Sequence, residues 1–269
     1  MLSKTFSAAV IGIDAHPVEI EVNISAASTG ESAVSIVGLP DMAVKESRDR
    51  VRSAIISSGL TPPRGITVIN LAPADLRKEG AAFDLGIALG ILAAAGMVNP
   101  EHLAICAVLG ELGLDGTVRP VRGILPCADR LARENGIRAL LVPAANAREA
   151  AIAAGKRLAV YPVQNLTDAV ELLNRGGRRP FHNSEAGGEQ ETSAPQGPDF
   201  SDIKGQAMVR RALEIAAAGG HNLLMVGPPG CGKSLSASCL PSILPPMSFE
   251  EALETSRIHS VLGKLPPDH

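Results

Sequence analysis

The chain has no tryptophan, one tyrosine and five phenylalanines among 269 residues. A core with so few rings has to be filled by Ala, Val, Ile and Leu. It also lacks an excess of either charge. With a formal net charge of −3 there is no overall nucleic-acid footprint, so any such surface has to be local. The four cysteines, Cys106, Cys127, Cys231 and Cys239, have neither metal-ligand nor paired spacing and read as reduced thiols. No basic segment followed by an apolar stretch opens the chain, so a signal peptide is not expected. The most apolar run, residues 85–98, is too short to span a bilayer and carries three glycines. No internal repeat is visible.

What is present is the composition of a globular protein of up to two domains, 45% hydrophobic and 20% charged. Its most specific stretch is Gly227-Pro228-Pro229-Gly230-Cys231-Gly232-Lys233-Ser234, which satisfies G-x-x-x-x-G-K-[ST] at every position. Glycines let successive backbone N–H groups converge on phosphate oxygens, and a following helix adds the positive end of its dipole. Lys233 is expected to neutralise the β- and γ-phosphates and Ser234 to ligate Mg²⁺. The apolar run Leu223-Leu224-Met225-Val226 is expected to enter the loop as a buried strand, with a helix over 235–240. Cys231 sits at a variable position of the loop, either as a small filler or as a thiol whose pKa is lowered by the helix start.

Ahead of that loop, residues 6–37 hold strand-like runs. Ala8 to Ile13, the alternating Val18 to Ile24 and Ala33 to Val37 are expected to pair antiparallel. Asp41 caps a helix that ends at Ser58, before Gly59. Lys45, Arg48 and Arg52 share one of its faces and either meet phosphates or form a solvated face with Glu46 and Asp49. Then come a strand over 66–71, a polar loop to Gly86, a helix from about Asp84 to Gly96, and a hairpin of 104–109 with 117–121. Helices over 124–134, 145–154 and 167–173 alternate with strands over 139–142 and 158–163, as α/β units do. The pattern stops near Arg175. Residues 176–198 are poor in apolar side chains and read as a flexible linker.

Two resemblances extend this reading. From Asp199 the chain resembles an AAA+ ATPase of the magnesium-chelatase-like branch. Asp199-Phe200-Ser201-Asp202-Ile203-Lys204-Gly205-Gln206 is similar to the family segment beside the adenine, and Leu240 to Pro246 and Ile258-His259-Ser260-Val261 match as well. Residues 3–174 resemble the Lon-protease-like domain that precedes this ATPase in the YifB/ComM family. Val37-Gly38-Leu39-Pro40-Asp41, Glu46-Ser47-Arg48, Arg50-Val51-Arg52, Leu71 to Leu76 and Lys78-Glu79-Gly80 carry that match. The resemblance implies an α/β chain in three parts. Residues 1–175 form an α+β domain of the ribosomal S5 domain 2-like fold, 176–198 the linker, and 199–269 the start of a P-loop ATPase domain. It implies ATP and Mg²⁺ as cofactors, a cytoplasmic hexamer without membrane contact, and DNA as the substrate of an ATP-driven branch-migration motor.

The departures from the family pattern shape the expectation. Active Lon proteases carry a serine nucleophile in the loop that here reads Lys78 to Gly86, which has no serine, and a lysine where this chain has Leu125. Acyl-enzyme chemistry has no start without them, so no protease is expected. No acidic Walker B strand, sensor or arginine finger is found between Ser234 and His269, and these supply hydrolysis in the family. The chain is thus expected to be a fragment whose own ATPase activity is open. The alternatives are a regulatory or non-enzymatic nucleotide-binding protein, or a metal-chelatase ATPase subunit, although chelatase subunits lack the Lon-like domain.

Overall fold

The computed structural model describes residues 1–26, 33–176, 179–181 and 197–265. They fall into two compact units, Met1–Ala186 with Leu253–His269, and Gly187–Ala252. The expected linker, residues 176–198, lies mostly outside the described residues. Phe181, within that range, makes a single bridge to Val160.

The first unit begins with β1 (Leu2–Ile11) and β2 (Asp14–Ser25), which form an antiparallel hairpin from Leu2↔Asn23 to Ile11↔Asp14. β3 (Ala33–Val37), α1 (Met42–Ser57) and β4 (Ile66–Ala72) follow. Next are α2 (Asp84–Ala94), α3 (Pro100–Ala104), β5 (Cys106–Val108) and a two-residue ribbon of β6 (Glu111–Leu112) with β7 (Val118–Arg119). The unit continues through α4 (Ile124–Leu131), β8 (Ala139–Pro143), α5 (Ala147–Ala154), β9 (Ala159–Val163) and α6 (Leu166–Arg175).

Seven strands form one mixed sheet in the order β3-β4-β2-β1-β5-β8-β9. β2 runs antiparallel to its two neighbours, and every other pair is parallel. The class is therefore α/β. Two expectations are corrected here. β3 pairs parallel with β4, not antiparallel within the first three strands, because α1 carries the chain back to the same end of the sheet. The residues expected as one arm of a hairpin, 104–109, instead place β5 between β1 and β8, and the turn at Asp115-Gly116 joins β6 to β7.

Residue alternation along the strands divides the core into two clusters. Val18, Ile20 and Val22 of β2 with Ile69 and Leu71 of β4 face α1 and α2, while Leu140 and Val142 of β8 face α4 and α5. All eleven residues of α2 are buried. It lies close against the sheet because two of its residues are glycines. A Cβ on Gly86 would stand 2.8 Å from Ile20 Cδ1, and one on Gly90 2.8 Å from Val22 Cγ2. α1 starts where the sequence indicates, with the Asp41 carboxylate accepting from Val44 N at 2.7 Å.

Gly38 shows how tightly α1 is tethered to the sheet. It has φ +98°, and an added Cβ would fall 2.1 Å from the Leu71 carbonyl oxygen. Gly38→Ala is therefore expected to cost about 2 kcal/mol of stability, from left-handed strain together with overpacking against backbone. Urea unfolding of the purified chain reads this directly, and an unchanged midpoint would show that the turn rearranges freely.

Lys78 is fully buried, and its Nζ donates to the Pro73 carbonyl oxygen. Burial lowers its pKa below the ordinary lysine value of 10.5, with Asp75 opposing the shift. The folded chain therefore releases this proton at a lower pH than the unfolded chain. Stability from this group rises with pH between the lowered pKa and 10.5 and is flat outside that window. Lys78→Met should lose this rise, so the native chain should gain on the variant as pH climbs towards 10.5. Paired unfolding curves from pH 7 upward check it; parallel curves would contradict it.

In the second unit a short turn at Phe200–Asp202 is closed by a capping box of Asp199 with Asp202. α7 (Ala207–Gly219) and α8 (Lys233–Cys239) follow, then α9 (Phe249–Val261), whose residues from Leu253 group with the first unit. The core of the second unit is small: Phe200, Ile203, Leu213 and Cys239. Leu223 to Val226 do not form the expected strand. No described residue of this unit is in a strand, so the segment has nothing to pair with, and Leu224 and Val226 are each 88% exposed.

Candidate nucleotide site

The loop from Gly227 to Ser234 folds as the sequence suggests at its centre. Gly230 and Gly232 take φ +80° and +84°, and α8 begins at Lys233 directly after Gly232. These left-handed glycines turn the chain sharply enough for a concave run of backbone ahead of a helix start. Lys233 Nζ bends back over the loop and donates to the carbonyls of Gly227 and Pro228, both at 2.8 Å, with Cys231 Sγ at 3.5 Å. Carbonyl acceptors hold the ammonium without neutralising it, so its full charge remains available to an anion. Ser234 is exposed, and its carbonyl accepts from Ser238 Oγ at 2.9 Å.

Beside the loop is a cavity of about 270 Å³, walled by Met208, Val209, Ala212 and Leu223 to Val226, with Gln206, Cys231 and Lys233 at the loop side. Gln206 Nε2 donates to the Cys231 carbonyl at 2.9 Å and ties the segment before α7 to the glycine-turned loop. Nothing in the local sequence signals that hydrogen bond; it joins positions 25 residues apart. An apolar cavity next to a cationic, glycine-turned loop suits a ligand with a flat apolar end and an anionic tail. The residues present thus fit a nucleoside triphosphate. Among the described residues no group of three or more His, Cys, Asp or Glu could hold a metal ion, so Mg²⁺ would be held by Ser234 together with the nucleotide.

The other sequence candidates lie in the first unit. Ala82, in the loop from Lys78 to Gly86, and Leu125 pack into the same hydrophobic cluster. Leu125 N donates to Glu149 Oε1 at 3.0 Å. Apolar packing thus occupies this region. Burial pushes the thiols of Cys106 and Cys127 up to about 12. Lys45, Arg48 and Arg52 part company: Arg48 pairs with Asp49 at 3.2 Å, and only Arg48 and Arg52 of the three reach a common cavity.

Two protein-family models match the chain. One described as subunit ChlI of Mg-chelatase covers residues 20–146, and one described as magnesium chelatase, subunit ChlI, covers 199–269. The α/β fold and the glycine-turned loop are thus those of a Mg-chelatase-like protein. A Mycobacterium tuberculosis protein is 41% identical over 267 residues, 99% of this chain and 51% of its own length. Competence protein ComM of Haemophilus influenzae and YifB of Salmonella typhimurium are each 41% identical over 263 residues, 97% of this chain and 50% of theirs. The chain belongs to the Mg-chelatase-like YifB/ComM family. It spans about half the length of the curated relatives it matches. No helix among the described residues is long and apolar enough to cross a membrane.

Proposed function

We propose that this chain binds ATP with Mg²⁺ through residues 227–234, and that the protein it represents is an ATP-driven DNA-remodelling motor. The observation that carries the reading is Lys233, held by two carbonyls over a loop that matches the phosphate-binding pattern throughout. In this reading the loop cradles the phosphates, Lys233 bridges the terminal pair, and Ser234 holds the metal. The apolar cavity beside Gln206 takes the base. Bound ATP supplies the free energy of phosphoryl transfer; this chain's own residues bind and orient it.

The similarity to a competence protein, ComM, supports a role in competence, and the reading extends this to DNA as the substrate and recombination as the setting. The same reading assigns residues 1–175 to a Lon-like domain without its catalytic pair, 176–198 to the linker, and 199–269 to the beginning of the AAA+ module. The working form is a cytoplasmic ring, a hexamer by family likeness.

A titration with a fluorescent ATP analogue tests the site. Saturable binding to the purified chain, strengthened by Mg²⁺ and displaced by unlabelled ATP or ADP, is expected. A chain that melts cooperatively and binds no nucleotide with or without Mg²⁺ would refute the assignment.

A further inference from the structure

The first unit contains a second site that the nucleotide reading leaves unused. α1 presents Arg48 and Arg52 one turn apart, and the segment leading into β4 brings Arg64 to the same place. The three arginines line a cavity of about 310 Å³ between α1, α2 and the β3–β4 edge, together with the apolar Val51, Ile55 and Ile91. Among the described residues no acidic side chain lines it. Arg48 shares its charge with Asp49. Arg52 and Arg64 have no ion pair or side-chain hydrogen bond with any other described residue.

We propose that this cavity binds a small organic anion, an apolar body seated on Val51, Ile55 and Ile91 with its carboxylate or phosphate group on Arg52 and Arg64. Guanidinium forks match both anions in geometry, and neither of these two is already satisfied by a carboxylate of the described residues. The apolar lining makes a bare inorganic ion a poor occupant, because its hydration would be lost without return. A nucleic-acid backbone is a poor occupant too. A polyanion needs a connected basic track, whereas Glu46 and Asp49 interrupt α1 and the net charge is −3. Arg64 could not be joined to Arg48 and Arg52 from the sequence, since β4 pairing alone brings it there.

The test uses the full 269-residue chain. 8-Anilinonaphthalene-1-sulfonate serves as a fluorescent apolar anion, and phenyl phosphate and benzoate serve as competitors. Displacement by one or both supports the site, and which of them acts tells phosphate from carboxylate. Methyl NMR then places the ligand: Ile55 and Ile91 should shift at saturating competitor. Arg52→Ala and Arg64→Ala should each weaken binding about tenfold, as expected for loss of a charge-assisted hydrogen bond. Arg77→Ala, which removes an exposed arginine paired with Glu79, should leave binding unchanged. The proposal is overturned if neither competitor displaces the probe, if the two methyl groups do not move, or if the Arg52→Ala/Arg64→Ala double variant binds like the native chain.

Discussion

Lys233→Ala should abolish nucleotide binding while leaving the fold of both units intact. The ammonium's contacts in the present structure are the Gly227 and Pro228 carbonyls and the Cys231 sulfur, and none of these is buried deep enough to need it. Its loss therefore costs little in stability. Its loss to the bound state is larger, because two charge-assisted hydrogen bonds to phosphate oxygens disappear, at about 1.5–3 kcal/mol each. The expected effect is at least about a hundredfold in affinity, which removes binding from the range of an ordinary titration. Lys233→Arg should fall between the two, since a planar fork cannot bend back over the loop as a point charge does. Equal affinity of native chain and Lys233→Ala would mean that nucleotide binds elsewhere.

Asp84→Ala should be the most damaging single substitution for the first unit. The Asp84 side chain is fully buried at the first turn of α2. It receives Arg50 Nε at 2.8 Å and Nη2 at 3.1 Å, Leu112 N at 3.4 Å and the Ser47 hydroxyl. It thus joins α1, α2 and β6 through one carboxylate. Removing it takes the buried carboxylate from the half-buried Arg50 and the buried Ser47, leaving them the Ala43 carbonyl as acceptor and Arg50 the exposed Glu46 at 3.8 Å, and breaking such a pair costs about 3–5 kcal/mol. For a unit of this size that is a drop of roughly 10 °C in melting temperature. The double variant Asp84→Leu with Arg50→Met should recover most of it, since no buried charge is then left unpaired. Circular dichroism melts read both, and a drop of under 1 kcal/mol for Asp84→Ala would show that the network is incidental.

The parts of the fold that were legible in the sequence are those with local causes. Asp41 and Gly59 bound α1, and the unbroken apolar run after Asp84 gives α2. The start of β1 was not visible. Its inward positions, Ser3, Thr5 and Ser7, are hydroxyl residues, so the apolar alternation is absent. Ser3 and Thr5 are buried only because they donate to the carbonyls of Gly90 and Cys106. β3 and β5 went to the wrong partners because strand pairing is decided by where α1 and α3 return the chain. Short apolar runs carry no such direction. α3 was missed although its signal is present: Asn99 accepts from Glu101 N at 2.9 Å and Pro100 follows it.

The candidate site divides in the same way. The turn ahead of α8 lies within eight contiguous residues whose glycines state its geometry, so the left-handed Gly230 and Gly232 and the helix start at Lys233 could be read directly. The cavity beside it depends on α7 and on Gln206 reaching Cys231, and spacing does not encode that. The strand expected at 223–226 failed for a related reason: its apolar residues indicate a buried strand, but they cannot supply the neighbour it needs.

The measurement closest to the central claim is a backbone amide NMR titration of the chain with ATP and Mg²⁺. The account predicts that the largest shifts fall on Gly230, Gly232, Lys233 and Ser234, with smaller ones at Gln206 and Val209. Saturating nucleotide that perturbs other residues and leaves 227–234 unmoved would contradict it.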